Sequence, residues 1–331
     1  MGKVRKPIIG VIYKGVDVTS DITYFLLNFR YRDKINGDSP DLEIELEDRE
    51  KIWQKEWFPT TGDAISAIFQ YEGEENKLEA NNFEIDLLDF SFDNRNGDRL
   101  RIGAQQTPFS KNLREKRSQE YEKMTLLQII QSVASRQGLK VVGTVFDITF
   151  ERITQNEESD LEFLTRLGSD YGQLFKIEGE KLIFYNYFQL NGQPSEFTIN
   201  RKDIKYFRAS KKLSGIYNSV KVVYEGVNGE PVIGGVIKAN PPNNSKDVLT
   251  INDRVENDFQ ALAKAQEKLR QANADEYSGD LTVEGEYRYI AGINFTIEGF
   301  GAFNGVWQIQ EVEHTFTRDG WLSSMKIYKV G

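Results

Sequence analysis

Asp41-Leu42-Glu43-Ile44-Glu45-Leu46-Glu47-Asp48 alternates without a fault: Leu42, Ile44 and Leu46 fall on one face of an extended chain, Glu43, Glu45 and Glu47 on the other. Successive strand side chains point to opposite sides, so this period of two describes a half-buried antiparallel strand. Its neighbours read the same way. Ala64 to Tyr71, between Gly62 and Gly73, is an apolar and aromatic strand. Phe83 to Phe92 is another, and Asn96-Gly97 turns it back into Arg99 to Ile102, because both turn residues tolerate positive φ. Trp53, Trp57 and Phe58 precede Pro59 in a connecting segment and are expected to plug one end of this β unit. Residues 1–103 are thus read as a first β domain.

From Ala104 to Tyr121 the chain turns polar and basic, contains Pro108 and loses apolar periodicity, so 104–121 reads as a linker or exposed loop. Residues 122–188 read as a small α/β insert. Thr125 and Gln128 form a capping box that opens a helix through Gln137, with Leu126, Ile129, Ile130 and Val133 inward and Gly138 as its terminating glycine. Glu157 and Glu158 place negative charge at the start of a second helix, Leu161, Leu164 and Leu167 recur at helical spacing, and Gly172 closes it. Leu174 to Tyr187 reads as a hairpin turning at Glu178-Gly179-Glu180. Residues 189–331 return to strands as a second β domain: Tyr217 to Tyr224, a turn at Asn228-Gly229, then a closing antiparallel meander from Leu281 to Val330. One long helix interrupts it, with Val255, Phe259, Leu262 and Leu269 as the expected inward stripe up to about Ala274. The two β domains are candidates for structural copies of each other.

Composition excludes much. The 331 residues carry 42 Lys plus Arg against 51 Asp plus Glu, a net charge of −9, which lacks the basic face that gripping nucleic-acid phosphates needs. Aromatic residues reach 12%, a bias toward strands and extended contact surfaces. There is no cysteine, which removes disulfides, thiolate metal sites and cysteine nucleophiles, and the one histidine, His314, removes HExxH sites and multi-histidine cages. No G-x-S-x-G elbow, P-loop or strand-linked G-x-G-x-x-G occurs. No apolar run of about 18 residues is present and the N-terminus lacks an apolar signal core, so a soluble chain without an export signal is expected.

Two stretches carry a more specific likeness. Residues 124–143, MTLLQIIQSVASRQGLKVVG, and 150–187, FERITQNEESDLEFLTRLGSDYGQLFKIEGEKLIFYNY, resemble the middle of phage late control gene D proteins, the tail hub proteins of contractile phages, related to the hub part of VgrG. The likeness rests on Gln137-Gly138-Leu139, Gln155 to Asp160, Phe163-Leu164, Arg166-Leu167, and Gly172 before Lys181-Leu182. It continues through Gly279-Asp280-Leu281, Val283-Glu284-Gly285, Ala291-Gly292, Gly299-Phe300, Asn304 to Trp307 and Val312-Glu313-His314. The resemblance implies a mainly β, α+β fold: two β-barrel-like tube domains with a small α/β insert similar to LysM domains, assembling as a ring. It implies a non-enzymatic homotrimer that adapts a six-fold tail tube to a three-fold spike, without cofactor or metal. Its implied partners are further copies of itself, the tail tube protein, a separate spike protein, other baseplate proteins and a tape-measure protein, with DNA only as passing cargo and no stable membrane association. The implied location is the tail baseplate of a virion or particle, assembled in the host cytoplasm.

No catalytic, cofactor-binding or metal residue is assigned. His314 shares parity with Val312 and Phe316 and reads as a structural histidine rather than a general base. The Glu43, Glu45, Glu47 row could pair carboxylates for glycoside hydrolysis, but reads as a solvated or channel-facing row. Asp93 to Asp98 hints at a calcium loop but lacks its twelfth-position Glu, so a hairpin turn is expected. Lys111, Arg114, Lys116 and Arg117 read as a loop facing solvent or a neighbouring acidic surface. Asn294-Phe295-Thr296 matches a glycosylation sequon within a strand. The competing functions are a baseplate-associated cell-wall-degrading enzyme and a peptidoglycan-binding module.

Overall fold

The alternation is borne out from Asp41 to Leu46: Leu42, Ile44 and Leu46 are each 1% exposed, while Glu43 and Glu45 lie half-buried on the opposite face; it ends at Glu47 and Asp48, which are both buried. The computed structural model describes residues 5–35, 39–95, 97–106, 112–225, 231–239 and 244–330. Asn96, Pro108, Lys111 and the Asn228-Gly229 turn lie outside the described residues.

In chain order the first lobe contains β1 (Pro7–Tyr13), β2 (Val16–Asp17), α1 (Thr19–Thr23), β3 (Leu26–Lys34), β4 (Asp41–Glu47), β5 (Ala64–Tyr71), β6 (Lys77–Asp93) and β7 (Gly97–Gln105). The middle unit follows with β8 (Lys116–Thr125), α2 (Leu126–Arg136), β9 (Lys140–Gly143), β10 (Thr149–Ser159), α3 (Asp160–Tyr171), β11 (Gln173–Glu178) and β12 (Lys181–Asn186). After α4 (Tyr187–Asn191) come β13 (Thr198–Asn200) and β14 (Ile204–Lys211), then a smaller layer of β15 (Ser219–Glu225), β16 (Pro231–Lys238), β17 (Val248–Asn252) and α5 (Asp258–Asn273). The chain closes with β18 (Tyr277–Glu284), β19 (Asn294–Glu298), β20 (Gly305–Thr317) and β21 (Gly320–Lys329).

Both lobes share one thirteen-stranded sheet in the order β14-β18-β21-β20-β3-β4-β7-β6-β5-β1-β2, with β19 on β20 and β13 on β19. The mainly β class holds. Strand pairing closes neither lobe into a barrel among the described residues; instead each lobe folds its share of the sheet over its own apolar cluster. The physical reason is β20. Its first half pairs with β19, and after a register shift between Ile309 and Glu311 its second half pairs with β3 of the first lobe. A strand shared in this way joins two curled sheets where two closed barrels would each need a seam of their own.

Four expectations need correction. A third of the segment read as linker, Lys116 to Tyr121, is strand, part of a ribbon between β8 and β10. Apolar alternation is missing there because two of the three inward positions, Arg117 and Gln119, face a buried ion cluster, while Tyr121 alone stacks on Phe163 in the core. The second helix of the middle unit begins at Asp160, not at Glu157; a bulge in β10 holds Glu157 at φ 51°, and Ser159 caps the helix reciprocally with Glu162. Residues 212–276 are an excursion between adjacent strands β14 and β18 with their own three-stranded sheet, and the closing stretch from Leu281 is antiparallel but no simple meander, because β18 pairs with β21 and not with β19. Finally, the long helix starts at Asp258, so buried Val255 precedes it, and of the expected stripe Leu269 is buried but Phe259 and Leu262 are 56% and 40% exposed. Small Ala261 and Ala265 let α5 pack closely on the small sheet, while polar Gln260, Lys264 and Gln271 meet the middle unit through Thr149, Asp170 and Ser169. Wedged between two partners, the helix buries alanines and polar groups and leaves its bulky apolar side outside.

The capping box at Thr125 and Gln128, the burial of Leu126, Ile129, Ile130 and Val133, and the left-handed glycines Gly138 and Gly172 are as expected. Trp53 is buried in the first lobe and lines, with Trp57 and Pro59, an apolar cavity of about 230 Å³ at its end; Phe58 stays half-exposed.

Candidate assembly surface

The face of the large sheet turned away from the two cores is charged, and the charge alternates strand by strand. Lys326 on β21 meets Glu311 on β20 at 3.2 Å. Glu313 lies 3.8 Å from Arg30 on β3, whose other amine holds Glu43 on β4 at 2.9 Å, and Arg32 holds Asp41 at 2.7 Å. Glu45 accepts from Arg99 on β7 at 2.7 Å, and Arg101 reaches Asp89 on β6 at 2.7 Å. Glu47 ends the row between Arg318 at 2.9 Å and Arg49 at 2.8 Å. The expected Glu43, Glu45, Glu47 row therefore exists, but each carboxylate has an arginine. Directly opposed residues on antiparallel strands interact favourably when oppositely charged. Half-exposed pairs of this kind contribute about 0–1 kcal/mol each, so the face sets register and surface chemistry more than stability. The arginines went unremarked in sequence, although Phe29-Arg30-Tyr31-Arg32 alternates as clearly as β4 does.

Where β20 crosses from lobe to lobe sits His314, fully buried. Its Nδ1 accepts from Trp321 Nε1 at 3.2 Å and from the Ser323 hydroxyl at 2.9 Å. An indole N–H can only donate, which fixes the tautomer: Nε2–H donates to the Tyr289 carbonyl at 2.9 Å. Burial holds the imidazole down to about 4, so it is neutral at pH 7. Its ring stacks on Tyr31, with Phe69 and Trp321 alongside. Trp321 leans on Gly285, where a Cβ would come within 2.1 Å of the indole, and Tyr71 donates to the Gly285 carbonyl at 2.9 Å. The ring nitrogens of His314 are satisfied within its own lobe, while the ring itself packs on Tyr31 and Phe69 of the other.

A second buried polar cluster centres on Asp160. Arg136 donates to it at 2.6 and 3.2 Å, and the amides of Gln137 and Gln155 at 2.6 and 3.0 Å. Burial pushes the Asp160 carboxyl up, but those hydrogen bonds outweigh it and hold the group below its ordinary range. Arg117 of the expected basic group points here, 3.5 Å from Asp160, while Arg114 and Lys116 are exposed, so the structure splits that group. Asn294 is buried and donates to the carbonyls of Leu190, Asn191 and Gln193. Asp93 pairs with Gly97 across the β6–β7 hairpin. Among the described residues no group of three or more His, Asp or Glu side chains could hold a metal.

This architecture is shared with structural proteins of phage tails and tail-like secretion machines. The 43 kDa tail protein of prophage MuSo2 from Shewanella oneidensis superposes with a TM-score of 0.70 at 14% identity, covering 98% of both chains. A tail protein from Neisseria meningitidis gives 0.72 at 12% identity over 98% of this chain and 97% of its own. A type VI secretion system component of Escherichia coli gives 0.59 at 13% identity over 93% and 74%. Within that class the sequence is similar to two curated relatives, each named probable baseplate hub protein, from Escherichia phages 186 and P2. They are 26% identical over 194 and 171 residues, or 56% and 51% of this chain. The matched region covers 48% and 42% of those relatives, so the match spans about half of their length. No family model matches. The resemblance to contractile-tail hub proteins thus stands on sequence as well as on fold, and the relatives carry the name of a structural role.

Proposed function

We propose that the chain is a structural baseplate hub protein that assembles as a homotrimeric ring, with the ion-paired face of the sheet forming the channel wall. The observation that carries this reading is the continuity of that face across both lobes. β14, β18, β21 and β20 come from one lobe and β3, β4, β7 and β6 from the other, four strands each, over separate cores. Three chains with two such lobes place six comparable units around an axis while keeping three-fold symmetry, the geometry needed to join a six-fold tube to a three-fold spike.

The wall chemistry also fits passing cargo. A trimer carries −27, three times the −9 of one chain, which disfavours a polyanion near the ring. Locally, each arginine of the face lies beside a carboxylate, which offsets its charge and weakens its pull on a phosphate. The partners in this reading are two further copies, a tail tube protein, a separate spike protein and other baseplate proteins, at the tail baseplate of a particle assembled in a bacterial cytoplasm. The reading as a wall-degrading enzyme is not supported: the Glu43, Glu45 and Glu47 carboxylates are each engaged by an arginine, whereas glycoside hydrolysis needs a pair of carboxyl groups turned toward a substrate. Sedimentation of the purified chain tests the proposal. A mass of about 114 kDa, three times 38.1 kDa, is expected. A monomer at every concentration, or turnover of peptidoglycan lost in the Glu43→Gln variant, would refute it.

A further inference from the structure

A cleft of about 830 Å³ lies where the end of the second lobe, α4 and the small layer around α5 meet. Its charge sets it apart from the ion-paired face of the sheet. Lys211, Lys212, Lys238, Arg270 and Lys329 line it against one acidic residue, Glu276, in a chain whose net charge is −9. Arg270 is committed to Glu267 at 2.7 Å, and Lys212 to Asp275 at 3.5 Å. Lys211, Lys238 and Lys329 have no carboxylate partner among the described residues. Lys211 and Lys329 approach the ring of Tyr277 at 4.7 and 5.3 Å, so two like charges share one aromatic surface. A concave site lined by one sign of charge focuses its field and draws in the opposite sign.

We infer that this cleft receives an acidic peptide segment of a second protein, its carboxylates on Lys211, Lys238 and Lys329 and its apolar side chains against Leu213, Ile237 and Leu269. Charge selects an anion, and the rest of the lining selects a peptide among anions. The last turn of α5, with Arg270 and Asn273, borders the cleft, and the final carbonyls of a helix carry partial negative charge. A phosphate brings acceptors that those carbonyls disfavour. A peptide brings carboxylates for the ammonium groups and amide N–H donors for the carbonyls. Among the described residues no glycine lines the cleft, so the close backbone approach of a phosphate cradle is missing. Leu213 stands 53% exposed while Leu269 is buried, which gives apolar side chains of the segment a surface to cover between the charges.

This contact goes beyond the hub reading and holds whether or not the chain forms a ring. Anisotropy of a fluorescent peptide, Glu-Glu-Leu-Glu-Glu-Leu-Glu-Glu, titrated with the full chain at low salt, tests it. A dissociation constant of about 10–100 μM is expected, rising as salt is added. Lys211→Glu with Lys238→Glu is expected to weaken binding at least about tenfold and to bind the matching lysine peptide, Lys-Lys-Leu-Lys-Lys-Leu-Lys-Lys, instead. The same charge change outside the cleft, at exposed Lys55→Glu with Lys202→Glu, is expected to stay within about twofold of wild type. Leu213→Ser is expected to weaken binding at unchanged melting temperature. Equal weakening by both charge variants would reduce the contact to net charge and overturn the site. ATP or oligothymidylate displacing the peptide more effectively than its unlabelled form would overturn the peptide class. Affinity that falls as the chain associates would mean that another copy covers the cleft, and would overturn a second protein as its occupant. No binding up to about 1 mM would overturn the site altogether.

Discussion

The two polar regions of the large sheet, back to back on strands β3, β20 and β21, solve opposite problems. On the core side, both ring nitrogens of His314 have fixed partners in a dry setting; on the charged side, Arg30 and Arg101 each reach two carboxylates while still meeting water. Buried polar groups are cheap only while every partner is present, whereas a half-exposed ion pair loses one contact and regains hydration. Few contacts on one side therefore outweigh many on the other. The Asp160 cluster, also dry, belongs with the first kind.

That contrast can be broken by mutation, and the largest effect is expected at Asp160. Asp160→Ala strands Arg136 and the amides of Gln137 and Gln155, and is expected to cost about 3–5 kcal/mol, read as a fall in urea midpoint at constant slope. A loss below about 1 kcal/mol would place this cluster with the surface pairs.

At His314 the expected effect is pH-dependent. The imidazole is held at about 4 in the fold against an ordinary 6.5, so between those values the unfolded chain binds the proton and the folded chain does not. Stability contributed by this group is complete above pH 6.5 and declines as pH falls toward 4, by about 1.4 kcal/mol per pH unit. With one histidine in the chain, urea titrations from pH 7 to 5.5 should slope in the wild type and flatten in His314→Gln. Equal slopes would mean the ring is hydrated.

On the charged face, Glu43→Gln with Glu45→Gln should change stability by no more than about 1 kcal/mol. The freed arginines should however lengthen retention on heparin, and unchanged retention would remove the shielding role given to these carboxylates. Smallest of all, Leu262→Asp is expected within about 0.5 kcal/mol of wild type, because Leu262 faces water; a loss of several kcal/mol would show that α5 is turned.

What could be read from sequence followed the environment of each element. β4 and α2 face a core on one side and solvent on the other, so Leu42 to Leu46 and Leu126 to Val133 announce their periods. β8 and α5 do not fit that picture. β8 turns Arg117 and Gln119 toward an ion cluster, and α5 buries Ala261, Lys264 and Ala265 between two partners, so hydrophobicity and burial part company in both. The Ser159 and Glu162 capping box was legible but lay behind the more conspicuous Glu157 and Glu158. The charged face was half legible: its acids stand out in one strand, and its arginines become visible as partners only when β3 and β7 are placed on either side of β4.

Strand β20 has a mechanical consequence. Pulled along its length, its second half loads the hydrogen bonds to β3 and β21 together, in shear, rather than one after another as in unzipping. Tension applied across the two lobes is therefore shared by the whole ladder from Glu311 to Thr317. A linker would stretch under the same load; this joint transmits it, and a sudden axial thrust moves both lobes as one piece.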